Sequence, residues 1–420
     1  MPLVHKEVSQ QNIVGIRNET GTSDDVYVTG GEELRTRSLA IVGLALLLAT
    51  TLAVGCSPQT PVTPTTPTTP TSPTTPTTPS QPAMQTFSWR IACDHPTTKG
   101  QYYAHVPMMA DIEAMSAGQL KISYHPAGEI SSAAEVLDFV SSGAVEAGIR
   151  WPGYDTGKNT AFDLFANMMT YMGAREYLQW FNFGGGNEVA REIYSKYDLH
   201  FIPVGCYPAE SGIRTTKVQI KSIADYKNLK LRISSKMAGR IAAELGASPL
   251  IVAHAETYEA LSRGTVDGGE MGNFQDDWVA GYQEVCPYVS TPAWYQISAP
   301  MVLIVNEGVW NKLPANLKSI VTIACQSAQS YATGMMEHEN YEARQRWLDA
   351  GLIINQLPEK DLDTLQEMAA KLFAEEAAAN PDFAKVLDSI VAYGKLSTSY
   401  NEEVYGRYRQ GVGVPVVWPD

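Results

Sequence analysis

The same helix-to-strand pattern occurs twice in this chain, and this repeat restricts the possible folds more than any other feature. The stretch AEVLDFVSSGAVEAGI, which starts at Ala134, aligns without a gap to AETYEALSRGTVDGGE, which starts at Ala255, and six of the sixteen positions are identical. Two further pairs keep an acidic residue in both copies: Asp138 with Glu259, and Glu146 with Asp267.

The apolar residues of the first copy have helical spacing. Four of them follow the i, i+3, i+4, i+7 rule of a helix with one buried face: Ala133, Val136, Leu137 and Val140. Gly143 and Gly264 then stand where helices commonly end in a left-handed residue, and a short strand is predicted after each. A chain that carries one α/β unit twice is expected to form two similar lobes, and their facing edges would enclose a cleft.

Other segments alternate between strand-like and helix-like patterns. Strands are predicted at Phe87 to Ala92, Leu120 to Tyr124, Leu229 to Ile233 and Met301 to Asn306. Long helices are predicted at Leu317 to Trp347 and Leu362 to Ala378. Pro107 interrupts the helical pattern of Tyr102 to Met115, and it predicts either a kink or the true start of that helix. The alternation indicates an α/β fold with largely parallel sheets.

Residues 35–56 have the layout of an export signal. Arg35 and Arg37 precede an apolar run from Leu39 to Val54, and Gly55-Cys56 follows it. The segment resembles a bacterial lipoprotein signal, which implies a lipid on Cys56; an uncleaved membrane anchor is the alternative. Residues 57–85, rich in Pro and Thr, are predicted to form an extended tether, and residues 1–34 are left unassigned as an expected mis-called start.

Charge and cysteine content exclude some classes of function. The chain has 31 basic and 45 acidic residues, for a formal net charge of −14, which argues against a nucleic-acid partner. An anionic ligand remains compatible because it needs only a local positive site. Apart from Cys56 the cysteines are far apart, which excludes a zinc finger and favours buried free thiols over one disulfide: Cys93, Cys206, Cys286 and Cys325.

The usual enzyme motifs are missing from the sequence. It has no GxSxG, no HExxH, and its seven histidines lack metal-ligand spacing. Arg232 is a better candidate, because it alternates with apolar residues at the end of a predicted strand. Ligands of open α/β sheets gather at such ends, and a guanidinium can grip a carboxylate with two hydrogen bonds. Taken alone, Arg232 also fits a solvated surface arginine, and Glu270 a loop acid.

Several short motifs occur in order along residues 86–408 and form a specific set. They are His125-Pro126-Ala127-Gly128, Gly157-Lys158-Asn159, Gly184-Gly185-Gly186-Asn187-Glu188, Leu229-Lys230-Leu231-Arg232-Ile233, Glu256-Thr257-Tyr258-Glu259-Ala260-Leu261, Gly264-Thr265-Val266-Asp267 and Gly269-Glu270. With these motifs the chain resembles the solute-binding receptors of tripartite ATP-independent periplasmic (TRAP) transporters, and most closely their α-keto-acid-binding branch.

The resemblance implies an α/β fold of the two-lobed periplasmic-binding-protein type, with a hinge and a long connecting helix. It implies lobe I at residues 86–210 plus 299–340, and lobe II at residues 211–298 plus 341–420. Some relatives form a homodimer through their C-terminal helices, and the sequence leaves open whether this chain does so.

The resemblance also implies roles for individual residues. Arg232 matches the arginine that pairs with the ligand carboxylate. The further implied ligand-binding residues are Glu270, Tyr154, Ser211, Glu210 and Trp294, with Trp151 and His95 as neighbours of the cleft. A sodium or calcium ion bridging protein and ligand is implied at Glu270, Met271 and Gln296. Met271 replaces a Trp of the branch, Gln296 replaces a Glu, and Glu210-Ser211 stand where the branch has a Gln.

The leading hypothesis is therefore a receptor without catalytic activity, lipid-anchored outside the cytoplasm. It would capture a small organic anion, a 2-oxo or 2-hydroxy carboxylate, and deliver it to membrane permease subunits. The first alternative is a surface-anchored lipoprotein enzyme that uses Glu270 with Asp276 or Asp277 as an acid–base pair in the cleft. The second alternative is an adhesion module on a stalk.

Overall fold

The computed structural model describes residues 85–252 and 256–404. The predicted signal with Cys56, the unassigned residues 1–34 and all but the last residue of the predicted tether lie outside the described residues. Within the described residues, no helix is both long and apolar enough to cross a lipid bilayer.

Strands and helices alternate along the described chain. The strands are β1 Phe87–Cys93, β2 Leu120–His125, β3 Ala147–Arg150, β4 Leu199–Tyr207, β5 Ile213–Thr215, β6 Lys230–Arg232, β7 Ser248–Leu250, β8 Gly268–Gly269, β9 Tyr288–Thr291, β10 Ala299–Asn306 and β11 Ile353–Gln356. The helices are α1 Gly100–Tyr103, α2 Val106–Met115, α3 Val136–Ser141, α4 Ala161–Phe165, α5 Ala174–Phe183, α6 Gly186–Ser195, α7 Lys236–Glu244, α8 Thr257–Ser262, α9 Phe274–Val279, α10 Glu307–Lys312, α11 Ala315–Asp349, α12 Glu359–Ala379 and α13 Pro381–Val404.

These elements confirm the strands and long helices predicted from the sequence, with ends displaced by a few residues. Pro107 lies in the first turn of α2, so it marks the start of that helix and does not kink it. The four described cysteines are free and buried, as predicted.

The strands form two sheets of matching order. The first sheet runs β2-β1-β3-β10-β4, and the second runs β7-β6-β8-β5-β9-β11. The two-lobed α/β fold is thereby confirmed. The prediction of largely parallel sheets is only partly correct, because β10 is antiparallel to both neighbours in the first sheet and β5 to both neighbours in the second. Each of these strands enters its sheet directly from the other sheet, without a helical crossover, and such a connection does not impose parallel direction.

The sequence repeat corresponds to two equivalent units, α3 with β3 and α8 with β8. Gly143 and Gly264 end the helices with φ of 75° and 71°. The repeated acid has the same role in both units: Glu146 accepts the backbone N–H of Arg90 at 2.8 Å, and Asp267 accepts that of Lys230 at 2.8 Å. Each acid therefore ties its own strand to the parallel neighbour, which explains why both copies keep it.

The long helix α11 belongs to the cores of both lobes. Its first half packs on β4 and α2, where residues from Leu317 to Met336 are buried with the first sheet. Its last turns pack on α9, where Trp347 is buried in the core beneath the second sheet. The connecting helix implied by the resemblance is present in the structure.

The last helix bears on how the chain divides into lobes. α13 packs on α4 and α6, and α6 in turn packs on β4 of the first sheet. Phe383, Val386 and Ile390 are fully buried in this contact. The sequence division placed residues 341–420 with lobe II, whereas these side chains lie on the side of lobe I. The exact lobe boundaries stay a prediction.

A buried ion pair holds α9 against β5 in the second lobe. Arg214 Nε lies 2.5 Å from Asp277 Oδ2, and both side chains are fully buried. The guanidinium carbon of Arg214 also stands 3.8 Å from the ring centre of Trp347. Ser211 Oγ donates a hydrogen bond of 2.7 Å to the same carboxylate oxygen.

Replacing Asp277 by Ala is expected to lower the free energy of unfolding by about 3–5 kcal/mol, because it leaves the Arg214 charge buried without its partner. Urea unfolding followed by circular dichroism measures this change. Glu259→Ala is the matched control, since it removes an exposed pair with Arg263 and should cost only about 0–1 kcal/mol. Equal losses in the two variants would contradict the assigned role.

Candidate functional site

A cavity of about 690 Å³ lies between the two sheets. From the first sheet and its loops come Asp94, His95, Trp151, Tyr154 and Tyr207, which follow or end strands β1, β3 and β4. From the second come Arg232, Ser234, Met271, Asp276 and Tyr282. The cavity therefore occupies the cleft expected from the repeat.

Arg232 ends strand β6 and lines this cavity, as its position in the sequence predicts. Its Nη1 donates to the carbonyl oxygen of Glu270 at 2.9 Å, and its Nε donates to that of Val252 at 3.3 Å. These bonds fix the guanidinium plane while the side chain stays slightly exposed towards the cavity. The arginine is thus a preorganised cation at the end of a strand.

Glu270 lies behind Arg232 and does not reach the cavity surface. The carboxylate accepts hydrogen bonds from the backbone N–H and hydroxyl of Ser234, and Oε1 is 3.5 Å from Arg232 Nη1. Only 2% of Glu270 is exposed. Its side chain therefore neutralises and orients Arg232, and its part in binding a ligand is indirect in this structure.

Glycine at position 269 is required for this arrangement. A Cβ there would stand 2.3 Å from the carbonyl oxygen of Arg232 and 2.8 Å from its Cβ. Because residue 269 has no side chain, strand β8 can approach the end of strand β6 closely. Glu270, the next residue in the chain, is thereby placed beside Arg232.

Two polar residues of the site lie where the chain crosses between the sheets. Glu210 belongs to the crossing between β4 and β5, and Gln296 belongs to the crossing between β9 and β10. The backbone N–H of Glu210 donates to the carbonyl oxygen of Gln296 at 3.3 Å, and both residues line the cavity. Gly212 lets the first crossing pass close to β9, because a Cβ there would stand 2.1 Å from the carbonyl oxygen of Ser290.

The oxygens of these two residues are suited to a cation. Gln296 donates its amide N–H to the carbonyl oxygen of Ala166 at 2.7 Å, so its Oε1 is left as an acceptor. The buried Oε2 of Glu210 has no well-formed hydrogen bond within the described residues, although the Tyr295 hydroxyl is close enough to favour the charged form. Carboxylate and amide oxygens are ligands that calcium and sodium accept.

Burial raises the pKa of Glu210 to about 8, and the nearby charge of Glu270 adds to this shift. Arg232 acts in the opposite direction but does not cancel it. Glu210 remains partly exposed towards the cavity. A carboxyl in this setting loses its proton readily only when a positive charge arrives beside it.

A second set of charged groups faces the cavity, and each of them is already paired. Lys99 Nζ lies 3.5 Å from Asp276 Oδ2, and both side chains are largely buried. Asp94 accepts the backbone N–H of Trp151 at 2.7 Å and lies 2.5 Å from His95 Nδ1. These pairs line the wall without offering a free positive charge.

The structure brings together most, but not all, of the residues implied by the resemblance. Arg232, Tyr154, Glu210, Met271 and Gln296 line the cavity, as do the expected neighbours Trp151 and His95. Tyr154 packs edge-to-face on Trp151 with ring centres 5.3 Å apart.

Two implied ligand residues, Ser211 and Trp294, are not part of the described cavity wall. Ser211 is turned to Asp277, and Trp294 donates its indole N–H to the Tyr226 hydroxyl at 2.9 Å within the core. Both side chains are almost fully buried. Their direct contact with a ligand is therefore not supported by their positions.

Sequence reasoning missed Lys99 and assigned Asp276 only to the enzyme alternative. Their contact joins residues that are far apart in the chain, and no local motif predicts it. Asp94 was open to prediction, because it follows β1 directly and the strand-end rule that selected Arg232 applies to it as well.

The comparisons with known proteins agree with this architecture. The model of the bacterial extracellular solute-binding protein family 7 matches residues 92–380. The monocarboxylate 2-oxoacid-binding periplasmic protein of Nostoc sp. is 27% identical over 313 residues, which is 74% of this chain and 85% of the relative.

Two solved structures of TRAP transporter solute-binding proteins share the fold. That from Pseudoalteromonas atlantica, with bound sodium and pyruvate, has a TM-score of 0.72 and 29% identity and covers 77% of this chain and 98% of its own. The structure from Bordetella bronchiseptica is a dimer with copurified calcium and picolinate. It has a TM-score of 0.73 and 26% identity, and the match covers 77% of this chain and 96% of the Bordetella chain.

The raised pKa of Glu210 predicts a pH-dependent stability in the ligand-free protein. Between about pH 4.5 and pH 8 the folded state binds the proton more tightly than the unfolded state, so the wild type loses stability as pH rises through this window. Glu210→Gln removes this contribution, and its stability relative to wild type should rise over the same range. Urea unfolding at several pH values, with a chelator present, measures the difference. A difference that is constant with pH would contradict the assigned pKa.

Proposed function

Because the chain belongs to the bacterial extracellular solute-binding proteins of family 7, we propose that it is the receptor of a TRAP transporter that binds a 2-oxo or 2-hydroxy monocarboxylate. The observation that carries this proposal is Arg232, held at a strand end with its guanidinium fixed in an interlobe cavity. The free edge of the guanidinium faces the ligand carboxylate and binds it with charge-assisted hydrogen bonds.

The balance of charge in the cavity supports a monocarboxylate over a dicarboxylate. Arg232 is the one cation that the described cavity wall offers to an anion, since Lys99 is held by Asp276. Asp94 and Asp276 add negative charge to the wall, and Glu210 adds more once it has lost its proton. A second carboxylate on the ligand would meet these acids without a partner, and the desolvation cost would oppose binding.

A sodium or calcium ion completes the site in this proposal. Glu210, Gln296 and the backbone carbonyl of Met271 would hold it, and Glu270 supplies negative charge from behind. Relative to the α-keto-acid-binding branch, acid and amide are exchanged between two positions: the acid stands at Glu210 and the amide at Gln296. The bound ion would offset the acidic wall and contact the ligand carboxylate.

The relatives support this assignment of ligand and ion. The Nostoc relative is a monocarboxylate 2-oxoacid-binding protein, and the Pseudoalteromonas structure holds sodium with pyruvate. The Bordetella structure holds calcium with picolinate, which is also a monocarboxylate. Transfer of these properties to this chain is part of the proposal.

The location and partners follow from the same proposal. The receptor works outside the cytoplasm, anchored by a lipid on Cys56, and it delivers its ligand to the membrane permease subunits of the transporter. A homodimer through α13 is included, because Leu396, Tyr400 and Val404 are exposed at i, i+4 and i+8 on one face of that helix.

The proposed receptor performs no chemistry on its ligand. The enzyme alternative needs Glu270 and Asp276 or Asp277 to act as acid and base on one substrate. Asp277 is buried against Arg214, Asp276 is held by Lys99, and Glu270 is bound to Ser234 behind the cavity wall. This arrangement supports binding without turnover. The open, shaped cavity likewise favours a small ligand over an adhesion partner.

Arg232→Gln is expected to abolish stabilisation by 2-oxo carboxylates. A ligand at about one hundred times its dissociation constant adds about 2.7 kcal/mol to the wild type, which thermal unfolding detects as a shift of Tm. Arg263→Gln, which alters an exposed arginine, should keep the full shift. The proposal fails if no carboxylate shifts the wild type with sodium or calcium present, or if Arg232→Gln shifts as much as the control.

Gln296→Glu is expected to tighten calcium binding by about tenfold, because it adds a carboxylate to the ligand set. Competition between the protein and a fluorescent calcium chelator, with pyruvate present, measures the dissociation constant. Gln356→Glu is the control, since that residue is exposed on strand β11, away from the cavity. Equal calcium affinity in the two variants would place the ion elsewhere.

A further inference from the structure

The interlobe cavity is larger than the groups that anchor a carboxylate require. Cavities of roughly 300–1,000 Å³ bury drug-sized ligands. The cavity here has about 690 Å³, whereas pyruvate has only six non-hydrogen atoms. A three-carbon acid bound at Arg232 would leave most of this volume to water.

Part of the cavity wall is built from small apolar side chains. The first lobe contributes Ala127, Ala133 and Ala134, from the segment between β2 and α3. The second lobe contributes Val279 at the end of α9 and Ala280 directly after it. Alanine at four of these five positions keeps the space open, and it offers a ligand no hydrogen-bond partner from the side chains.

Aromatic side chains border the same space. Trp151 and Tyr154 meet edge-to-face on the side of the first lobe, and Tyr258 and Tyr282 line the cavity on the side of the second. The Tyr258 hydroxyl donates to Glu284 at 2.5 Å, so that group is already engaged. Such rings provide large apolar contact area to a ligand that lies between the lobes.

The charged groups of this wall do not call for a polar ligand. The Lys99 ammonium is held by Asp276, and the Asp94 carboxylate is held by the Trp151 backbone and His95. A charged substituent on the ligand would have to displace one of these contacts. An apolar substituent displaces only water and buries apolar surface on both sides.

We propose that the ligand is a 2-oxo carboxylate with an apolar branched or aromatic substituent of at least four carbons, which lies between Ala133 and Ala280. This inference rests on the proposed function and adds the ligand's size and polarity to it. Arg232 holds the carboxylate end, and the alanine-lined wall selects the substituent. Pyruvate fills only the anchoring part of the site.

Calorimetric titration with a graded series of acids tests the proposal. The series is pyruvate, 2-oxobutanoate, 4-methyl-2-oxopentanoate and phenylpyruvate, each with calcium or sodium present. Each buried methylene should tighten binding about fourfold, so the third acid should bind at least about tenfold more tightly than pyruvate. Pyruvate binding as tightly as the larger acids overturns this inference and leaves the proposed function standing. Binding of none of the four acids counts against the proposed function itself.

Two substitutions separate size selection from overall affinity. Ala133→Phe and Ala280→Leu fill the space, so each should reduce the affinity ratio of 4-methyl-2-oxopentanoate to pyruvate by about tenfold or more, given about fourfold for each excluded methylene. Ala374→Leu, on the exposed face of α12, is the matched control and should leave the ratio unchanged. Pyruvate binding in the same samples shows that each variant is folded. An unchanged ratio in both cavity variants overturns the proposal.

Discussion

The whole arrangement depends on one helix that is buried in two cores at once. The first half of α11 fills the space under β4 with Leu317, Val321 and Ala332, and its end places Trp347 against Arg214. Because the helix is continuous through 35 residues, the lobes are joined by a rigid rod as well as by two extended crossings. The lobes are therefore connected at three places, and the cavity lies between them.

The repeat allowed the two-lobed fold to be predicted from the sequence. Helical spacing and the two helix-ending glycines are local signals, and Gly143 and Gly264 have the positive φ that this position favours. The repeated acids are recognisable in the sequence because both copies keep them, although their hydrogen bonds reach a neighbouring strand. The antiparallel course of β5 and β10 was not predictable in this way. It follows from the chain entering each sheet from the other lobe, and no residue pattern within a strand of three to eight residues records that path.

Site residues on a strand could be predicted from the sequence, whereas site residues on loops were harder to predict. Arg232 alternates with buried neighbours, so both its position and its direction follow from the pleat. Ser211 and Trp294 stand on crossing loops, and their side chains turn towards Asp277 and Tyr226, which are distant in the chain. Pairs such as Lys99 with Asp276 depend on how the lobes meet. Such contacts are not predictable from the sequence, because no spacing rule links residues so far apart.

The placement of Glu210 and Gln296 has a mechanical meaning. Both lie on the two crossings that connect the lobes, and both line the cavity. A cation bound by both side chains would tie the two crossings to each other at the place where the chain passes between the lobes. A group bound at the crossings would therefore limit how far the two lobes can separate, and with this separation the access of a ligand to the cavity.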